Sequence, residues 1–266
     1  MEKRRYALRL AYEGDAFRGF QRQPGMLTVE ACLREALAHM GVQSPMAVAA
    51  RTDAGVHALE QVVTFTVRQA LEPALLRATI NERTPAGLIC FDAAPVDAHT
   101  HARASALTRI YAYLVGWPAP AELFRYAWTL PDVRAFRHCA RPDLARARDA
   151  LRPLVGEHDF GGFARQGAQT AKRATSPGAT VRTLLRADIL QAEGLPLAAF
   201  VLEGPGFLRA MVRNIVGTAV SAAVGAVEPE RSAEILAAPR ARYRGVRAPG
   251  WGLTLVRVTY PKPLFG

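Results

Sequence analysis

Residues 46–67 read Met46-Ala47-Val48-Ala49-Ala50-Arg51-Thr52-Asp53-Ala54-Gly55-Val56-His57-Ala58-Leu59-Glu60-Gln61-Val62-Val63-Thr64-Phe65-Thr66-Val67. Residues 46–50 are small and apolar, as a short strand requires, and Val63, Phe65 and Val67 alternate with threonines in the period-two pattern of a second strand. Between them Ala54 and Gly55 permit a tight turn in which backbone can approach a ligand. The stretch therefore predicts strand, turn, strand, with Asp53 carried from the end of a sheet toward a cleft. On spacing alone, an aspartate that caps its own turn and a catalytic carboxylate are equal readings.

Working outward, Tyr6, Leu8, Leu10 and Tyr12 alternate with Ala7, Arg9 and Ala11, which predicts a first strand with one buried face. Thr28 is placed to cap a helix in which Val29, Cys32, Leu33, Ala36, Leu37 and Met40 recur at helical spacing before Gly41 ends it. Residues 72–82 are weakly helical, and 88–96 read as a strand leading into the basic stretch 99–103. A boundary near 105 separates an N-terminal α/β half, 1–105, from a C-terminal half, 106–266. Beyond it Tyr111, Tyr113 and Val115 share one face of a strand and Ile110, Ala112 and Leu114 the other, so both faces are expected to be covered. Residues 165–180 read as a basic loop, 181–189 and 198–202 as a pair of strands, the stretch from Phe207 as a helix, and 253–258 as a final strand. Strands in neighbouring runs, interspersed with helices and without a strict βαβ rhythm, give an α+β class with a largely antiparallel sheet that is expected to continue across the boundary.

The 266 residues carry 34 Lys and Arg against 23 Asp and Glu, a formal charge of +11, so a polyanion is the natural partner. All but Lys3, Lys172 and Lys262 of those cations are arginines, the side chain that grips phosphate in a bidentate fork and stacks on bases. Cys32, Cys90 and Cys139 are far apart and have no metal-ligand spacing, which fits a reducing compartment and argues against structural zinc. The N-terminus is basic but runs into a patterned strand instead of a signal peptide's apolar stretch, so a cytoplasmic protein is expected. Residues 207–227 approach the roughly 20 apolar residues of a membrane helix, yet Arg209, Arg213 and Asn214 within them predict a buried amphipathic helix instead.

Arg51-Thr52-Asp53-Ala54-Gly55-Val56-His57-Ala58 resembles the signature of the tRNA pseudouridine synthase A family. The resemblance spans nearly the whole chain in family order. It includes Tyr12-Glu13-Gly14, Gly19-Phe20-Gln21-Arg22-Gln23, Thr28-Val29-Glu30, Gln61-Val62-Val63, Arg109-Ile110-Tyr111-Ala112-Tyr113 and Gly156-Glu157-His158-Asp159-Phe160. It continues through Val181-Arg182-Thr183, the run from Phe207 to Gly217, Ala248-Pro249 and Gly252-Leu253. Phe20, Thr64 and Leu59-Glu60 depart from the commoner family residues, at positions that bear on substrate contacts and not on the aspartate.

The resemblance implies the pseudouridine synthase fold, two similar α/β halves forming one sheet with a central cleft. It also implies isomerisation of uridine in the anticodon stem-loop of tRNA, conventionally at positions 38 to 40, by a homodimer that needs neither cofactor nor metal. By the same resemblance Asp53 is the catalytic nucleophile or base, Arg213 its ion-pair partner, and Arg51 the residue that assists base flipping. Tyr111 is the tyrosine that stacks on the target base and takes part in proton transfer, and Leu253 walls the uracil pocket. Without it, Tyr111 reads as a core tyrosine, Leu253 as an ordinary strand residue, and Arg209 and Arg213 as one solvated face of the last helix. His57, His99, His101 and His158 have no ligand spacing, which leaves phosphate contacts or structural hydrogen bonds; His57 and Arg209 are carried as candidate substrate contacts. A non-catalytic RNA-binding protein would satisfy the charge equally well but has no need of Asp53. A metal-dependent nuclease would require clustered carboxylates, and the sequence offers none.

Overall fold

The computed structural model describes residues 3–130, 136, 141–165 and 178–266. The chain forms two compact units, Met1–Arg109 with Thr254–Gly266, and Ile110–Leu253. Residues 166–177, the bulk of the basic loop expected from the sequence, lie outside the described residues, as does Cys139. The class is α+β, with most strand pairs antiparallel among the described residues.

In the first unit, β1 (Arg4–Tyr12) lies between β3 (His57–Val67) and β4 (Leu88–Val96), antiparallel to both. The register sets Tyr6 opposite Phe65 and Leu8 opposite Val63. The short β2 (Ala47–Val48) adds antiparallel to β3. The last strand, β11 (Leu253–Thr259), runs parallel to β3, with Thr254 opposite His57. From Thr254 onward the chain thus returns to the first unit, whereas a cut at 105 assigns it to the second. The difference arises because strand pairing joins residues nearly 200 positions apart, which composition along the chain does not register.

Helix α1 (Val29–Ala38) begins where expected: the Thr28 hydroxyl accepts the Ala31 N–H and satisfies one of the donors that a helix start leaves open. The chain leaves the helical path at Gly41, whose φ of 73° suits glycine. Val29, Cys32, Leu33, Ala36 and Leu37 form the buried stripe, each larger side chain contributing about 1.5–3 kcal/mol by burial. Helix α2 (Pro73–Arg83) has a weaker pattern but a firm start, with Glu72 accepting the Ala74 and Leu75 N–H groups and Pro73 in the first turn. The Asn81 amide meets both backbone groups of Cys90, so the outer edge of β4 is partly covered by α2.

Arg109 is buried, contrary to the habit of arginine. Its guanidinium donates to the carbonyls of Ala49, Arg103 and Ala106. It ties the approach to the Asp53 loop to the turn that ends the basic stretch 99–103.

In the second unit, β5 (Thr108–Gly116) pairs in parallel with β6 (Ala127–Thr129), and β9 (Arg186–Gln191) pairs antiparallel with β10 (Leu197–Gly204). On β5 the face bearing Arg109, Tyr111, Tyr113 and Val115 is buried and the other is half-buried. The strand expected over 181–189 is two strands. Leu185 is exposed and donates its N–H to Glu203, after which the chain leaves β8 (Val181–Leu184), paired with β7 (Gly156–Asp159), for β9.

Helix α3 (Leu144–Leu151) packs on α4 (Met211–Ala223), and α5 (Arg231–Ala237) follows. Every residue of α4 but Arg213 is buried, as befits a helix apolar nearly all round. The sequence placed its start near Phe207. The structure starts it at Met211, because Ala210 takes a left-handed backbone (φ 62°) that no α-helix accommodates. Phe207, Leu208 and Arg209 therefore form a turn ahead of the helix. At 13 residues α4 falls short of a membrane span, and no helix among the described residues is long and apolar enough to cross a membrane.

Thr28→Ala should lower the stability of the first unit by about 1–2 kcal/mol, seen as a lower urea midpoint with an unchanged denaturant slope.

Candidate active site

Asp53 stands just ahead of β3, on a turn closed by the Val56 N–H to the Asp53 carbonyl (3.2 Å), with Gly55 at φ 79°. Its side chain is half-buried, between a buried Thr52 and an exposed Ala54. Arg51 is exposed, and His57 is buried where the strand begins.

What holds this loop comes from β1, β3 and the turns that follow β1. The fully buried Gln61 accepts the Ala50 N–H at 3.2 Å and donates to the Ala50 carbonyl at 2.7 Å, so one amide side chain replaces the strand partner that Ala50 lacks. The same amide donates to the Tyr12 hydroxyl at 3.1 Å, which shares a 2.8 Å hydrogen bond with the Thr52 hydroxyl. Burial raises the Tyr12 phenol to about 12, against the lowering effect of its bonds to Thr52 and Gln61, so it stays protonated at any working pH. From the other side Phe20 N–H donates to the Thr52 carbonyl (3.1 Å), and Gly55 N–H to the Gly14 carbonyl (3.2 Å). The Gly14 N–H in turn donates to Nδ1 of His57 at 3.0 Å, which gives His57 a structural hydrogen bond and fixes that nitrogen as an acceptor.

Two glycines are dictated by this packing. A Cβ on Gly14 would lie 2.3 Å from the Val56 carbonyl carbon, and one on Gly19, at φ 92°, 3.0 Å from the Thr52 oxygen. Backbone thus packs directly on backbone behind the aspartate. The supporting roles of Tyr12, Gly14, Gly19 and Gln61 were not assigned from sequence. The signal the sequence offers for them is their place in the motifs Tyr12-Glu13-Gly14, Gly19-Phe20-Gln21-Arg22-Gln23 and Gln61-Val62-Val63.

A second group forms within the second unit, around the segment 246–253. Tyr111 is buried, with its ring edge-on to Phe207 at 5.3 Å between centroids. Tyr113, on the same face of β5, donates its hydroxyl to the Pro249 carbonyl at 2.8 Å, and burial pushes its phenol well above the ordinary value. Gly252 passes so close to that ring that a Cβ would lie 2.6 Å from it. Its carbonyl accepts the Leu114 N–H, and the buried Leu253 follows directly. Arg213, half-buried on α4, donates Nε to the Ala248 carbonyl at 2.7 Å while its own carbonyl takes the Ala248 N–H. Arg213 and the approach to Leu253 are in this way fastened to one segment. Arg209 is not on the helix face it was expected to share with Arg213. It is exposed in the preceding turn, its carbonyl accepting the Arg165 N–H.

Among the described residues no group of three His, Cys, Asp or Glu side chains is arranged to hold a metal ion, so the carboxylate cluster of a two-metal nuclease is not found there. What the first unit offers instead is one carboxylate on a loop whose backbone is fixed from both sides, the arrangement that nucleophilic or proton-transfer chemistry by a single group requires.

Gln61→Leu should cost about 2 kcal/mol of stability by leaving the Ala50 backbone groups unmet. If the network positions Asp53, single-turnover catalysis on bound RNA should fall about tenfold or more while RNA affinity changes little. Equal loss of both would mean that the network serves the fold alone.

Comparison with known proteins joins these observations. The family profile described as tRNA pseudouridine synthase matches residues 10–103 and 150–261, which include the Asp53 loop, the Arg213 helix and Leu253. The protein named tRNA pseudouridine synthase A from Geobacillus kaustophilus is 37% identical, covering 94% of this chain and 92% of its own length. The same-named proteins of Syntrophotalea carbinolica and Chlamydia felis are 36% and 34% identical, over 94% and 98% of this chain. Identity of this depth along both units, with the signature aspartate on its braced loop, makes the chain a member of the tRNA pseudouridine synthase family.

Proposed function

We propose that this enzyme converts uridine to pseudouridine on the 3′ side of the tRNA anticodon stem-loop, at positions 38 to 40, with Asp53 as its catalytic carboxylate. The observation that carries the reading is the Arg51-Thr52-Asp53-Ala54-Gly55-Val56-His57-Ala58 stretch, held at the start of β3 in a chain of this family.

The reaction detaches uracil N1 from ribose C1′, turns the base while it stays bound, and rejoins it through C5, whose proton leaves while the freed N1 takes one up. Nothing is gained or lost overall, and no electron is transferred. Hydrolysis of a glycosidic bond by contrast calls for two flanking carboxylates and an admitted water. One carboxylate suffices for isomerisation, either adding to the sugar or base as a nucleophile or taking a ribose proton.

The target uridine must leave its stack, at a cost of a few kcal/mol, and the exposed Arg51 is assigned to holding the opened helix. Tyr111 is assigned to stacking on the base and to proton transfer, Leu253 to keeping water from it, and Arg213 to pairing with the carboxylate so that it stays ionised. These four roles rest on the family resemblance. For Arg209 and His57, substrate contact is the weaker half of the assignment: His57 is engaged by Gly14 and Arg209 lies off the helix. A homodimer working in the cytoplasm, where it meets folded tRNA, completes the proposal.

Asp53→Asn should abolish pseudouridine formation, measured by site mapping on a tRNA transcript, while leaving the melting curve and tRNA binding intact. Preserved turnover would end the catalytic assignment, and a wild-type protein that binds tRNA without modifying it would favour a non-catalytic RNA-binding protein. Affinity of the wild type should fall at least about a hundredfold between 0.05 and 0.2 M salt, as release of counterions from several phosphates requires.

A further inference from the structure

Residues 235–266 contain no aspartate or glutamate, and Arg240, Arg242, Arg244 and Arg247 fall within eight consecutive positions of that stretch. All four are exposed. Four other arginines of the second unit face carboxylates: Arg146 meets Glu228, Arg152 meets Asp149, Arg186 meets Asp188 and Arg231 meets Glu234. Arg242 and Arg244 have no ion pair among the described residues.

The loop that carries them is fastened to α4 rather than left to its own devices. The Tyr243 hydroxyl lies 3.0 Å from the Thr218 hydroxyl and the Asn214 carbonyl and 2.9 Å from the Val246 carbonyl. Arg247 donates Nε to the Asn214 side chain at 3.0 Å, and Ala248 exchanges hydrogen bonds with Arg213. Gly217 makes room for the contact, since a Cβ there would stand 1.8 Å from the Val246 oxygen. Gly245 lets the loop fold over the Tyr243 ring, at 2.4 Å from its hydroxyl. Like charges held this close repel one another, so Arg242 and Arg244, two positions apart on a pinned loop and with no ion pair among the described residues, are arranged for an anion that arrives from outside. The guanidinium forks match phosphate oxygens in pairs, and several forks in a row match a chain of phosphates better than a single anion.

We propose that the loop 239–248 is a phosphate-gripping element for the tRNA backbone, with Arg242 and Arg244 as its contact residues and Tyr243 as its anchor. The assignment rests on the reading that the chain acts on tRNA. Such contacts fix the orientation of the RNA without reading its sequence. Because the loop is pinned to the helix that bears Arg213 and runs on into Leu253, RNA held there is registered against Arg213 and Leu253 of the same unit.

The test uses the full chain and an unmodified tRNA transcript, with affinity measured across a salt series. Replacing both contact residues, Arg242→Gln with Arg244→Gln, should make the slope of log affinity against log salt shallower by about 1.5, at roughly 0.7–0.9 per lost phosphate contact. KM should rise about tenfold at fixed salt, and kcat at saturating tRNA should stay within about twofold. A double variant with the same charge loss at paired sites, Arg152→Gln with Arg231→Gln, should leave slope and KM as they are. An unchanged slope in the loop variant, or an equal change in the control, overturns the proposal. The binding slope does not depend on turnover, so an active Asp53→Asn enzyme would defeat the catalytic reading while the loop stood or fell on its own measurement.

Discussion

The Asp53 loop of the first unit depends on a buried side-chain amide that does the work of a missing strand. Between β2 and β3 the chain must turn away from the sheet to present Asp53, and the backbone of Ala50 then has no neighbouring strand. Gln61 supplies an acceptor and a donor at the spacing of a peptide group and has a second donor hydrogen left for Tyr12. An unmet backbone group in such a place would cost about 1–3 kcal/mol, enough to let the loop seek other conformations. With Tyr12 on Thr52, Phe20 on the Thr52 carbonyl and Gly14 against Gly55, the residues on both sides of Asp53 are bonded to structure that the sheet already fixes. A carboxylate on this loop has its reorganisation cost met during folding, not during the reaction.

The second unit solves a related problem by other means. It has a helix apolar nearly all round, on which Arg213 is the single residue left outside the core. A long flexible cation at such a position would ordinarily sample many rotamers. Binding its Nε to Ala248, while Ala248 returns a bond to its carbonyl, restricts it through the backbone of one short segment. That segment is itself fitted to Tyr113 by Gly252 and to α4 by Gly217, so small residues here set the approach of one backbone to another.

Much of this was legible in the sequence, and the parts that were not have a common cause. Thr28 with the stripe of α1, the alternation of β1 and the extent of β4 are local signals, and the structure follows them. The Asp53 octapeptide stood out for the same reason. The support behind it did not, because it depends on a register in which Leu10 faces Gln61 and Tyr12 faces Ala58 across an irregularity in the strand pair. No periodicity encodes that pairing. The burial of Arg109 has no signal in its residue type: a buried guanidinium is exceptional, and the carbonyls converging on it account for its position. The start of α4 was read too early because apolar recurrence runs on through residues 207–210, and periodicity is blind to one left-handed residue.

The two kinds of polar structure in this protein answer to different forces. Around the Asp53 loop the supports are neutral and buried: an amide, a phenol kept protonated by burial, a hydroxyl and peptide groups. Such bonds are insensitive to ionic strength, since there is no net charge for salt to screen. Arg242 and Arg244 of the second unit are exposed charges, whose reach shrinks to about 8 Å at physiological salt. On the proposed reading, salt would weaken the capture of RNA without loosening the loop that holds Asp53. Recognition would then be adjustable while the geometry of the loop stayed fixed, because the charges proposed to attract the RNA are not the groups that brace the loop.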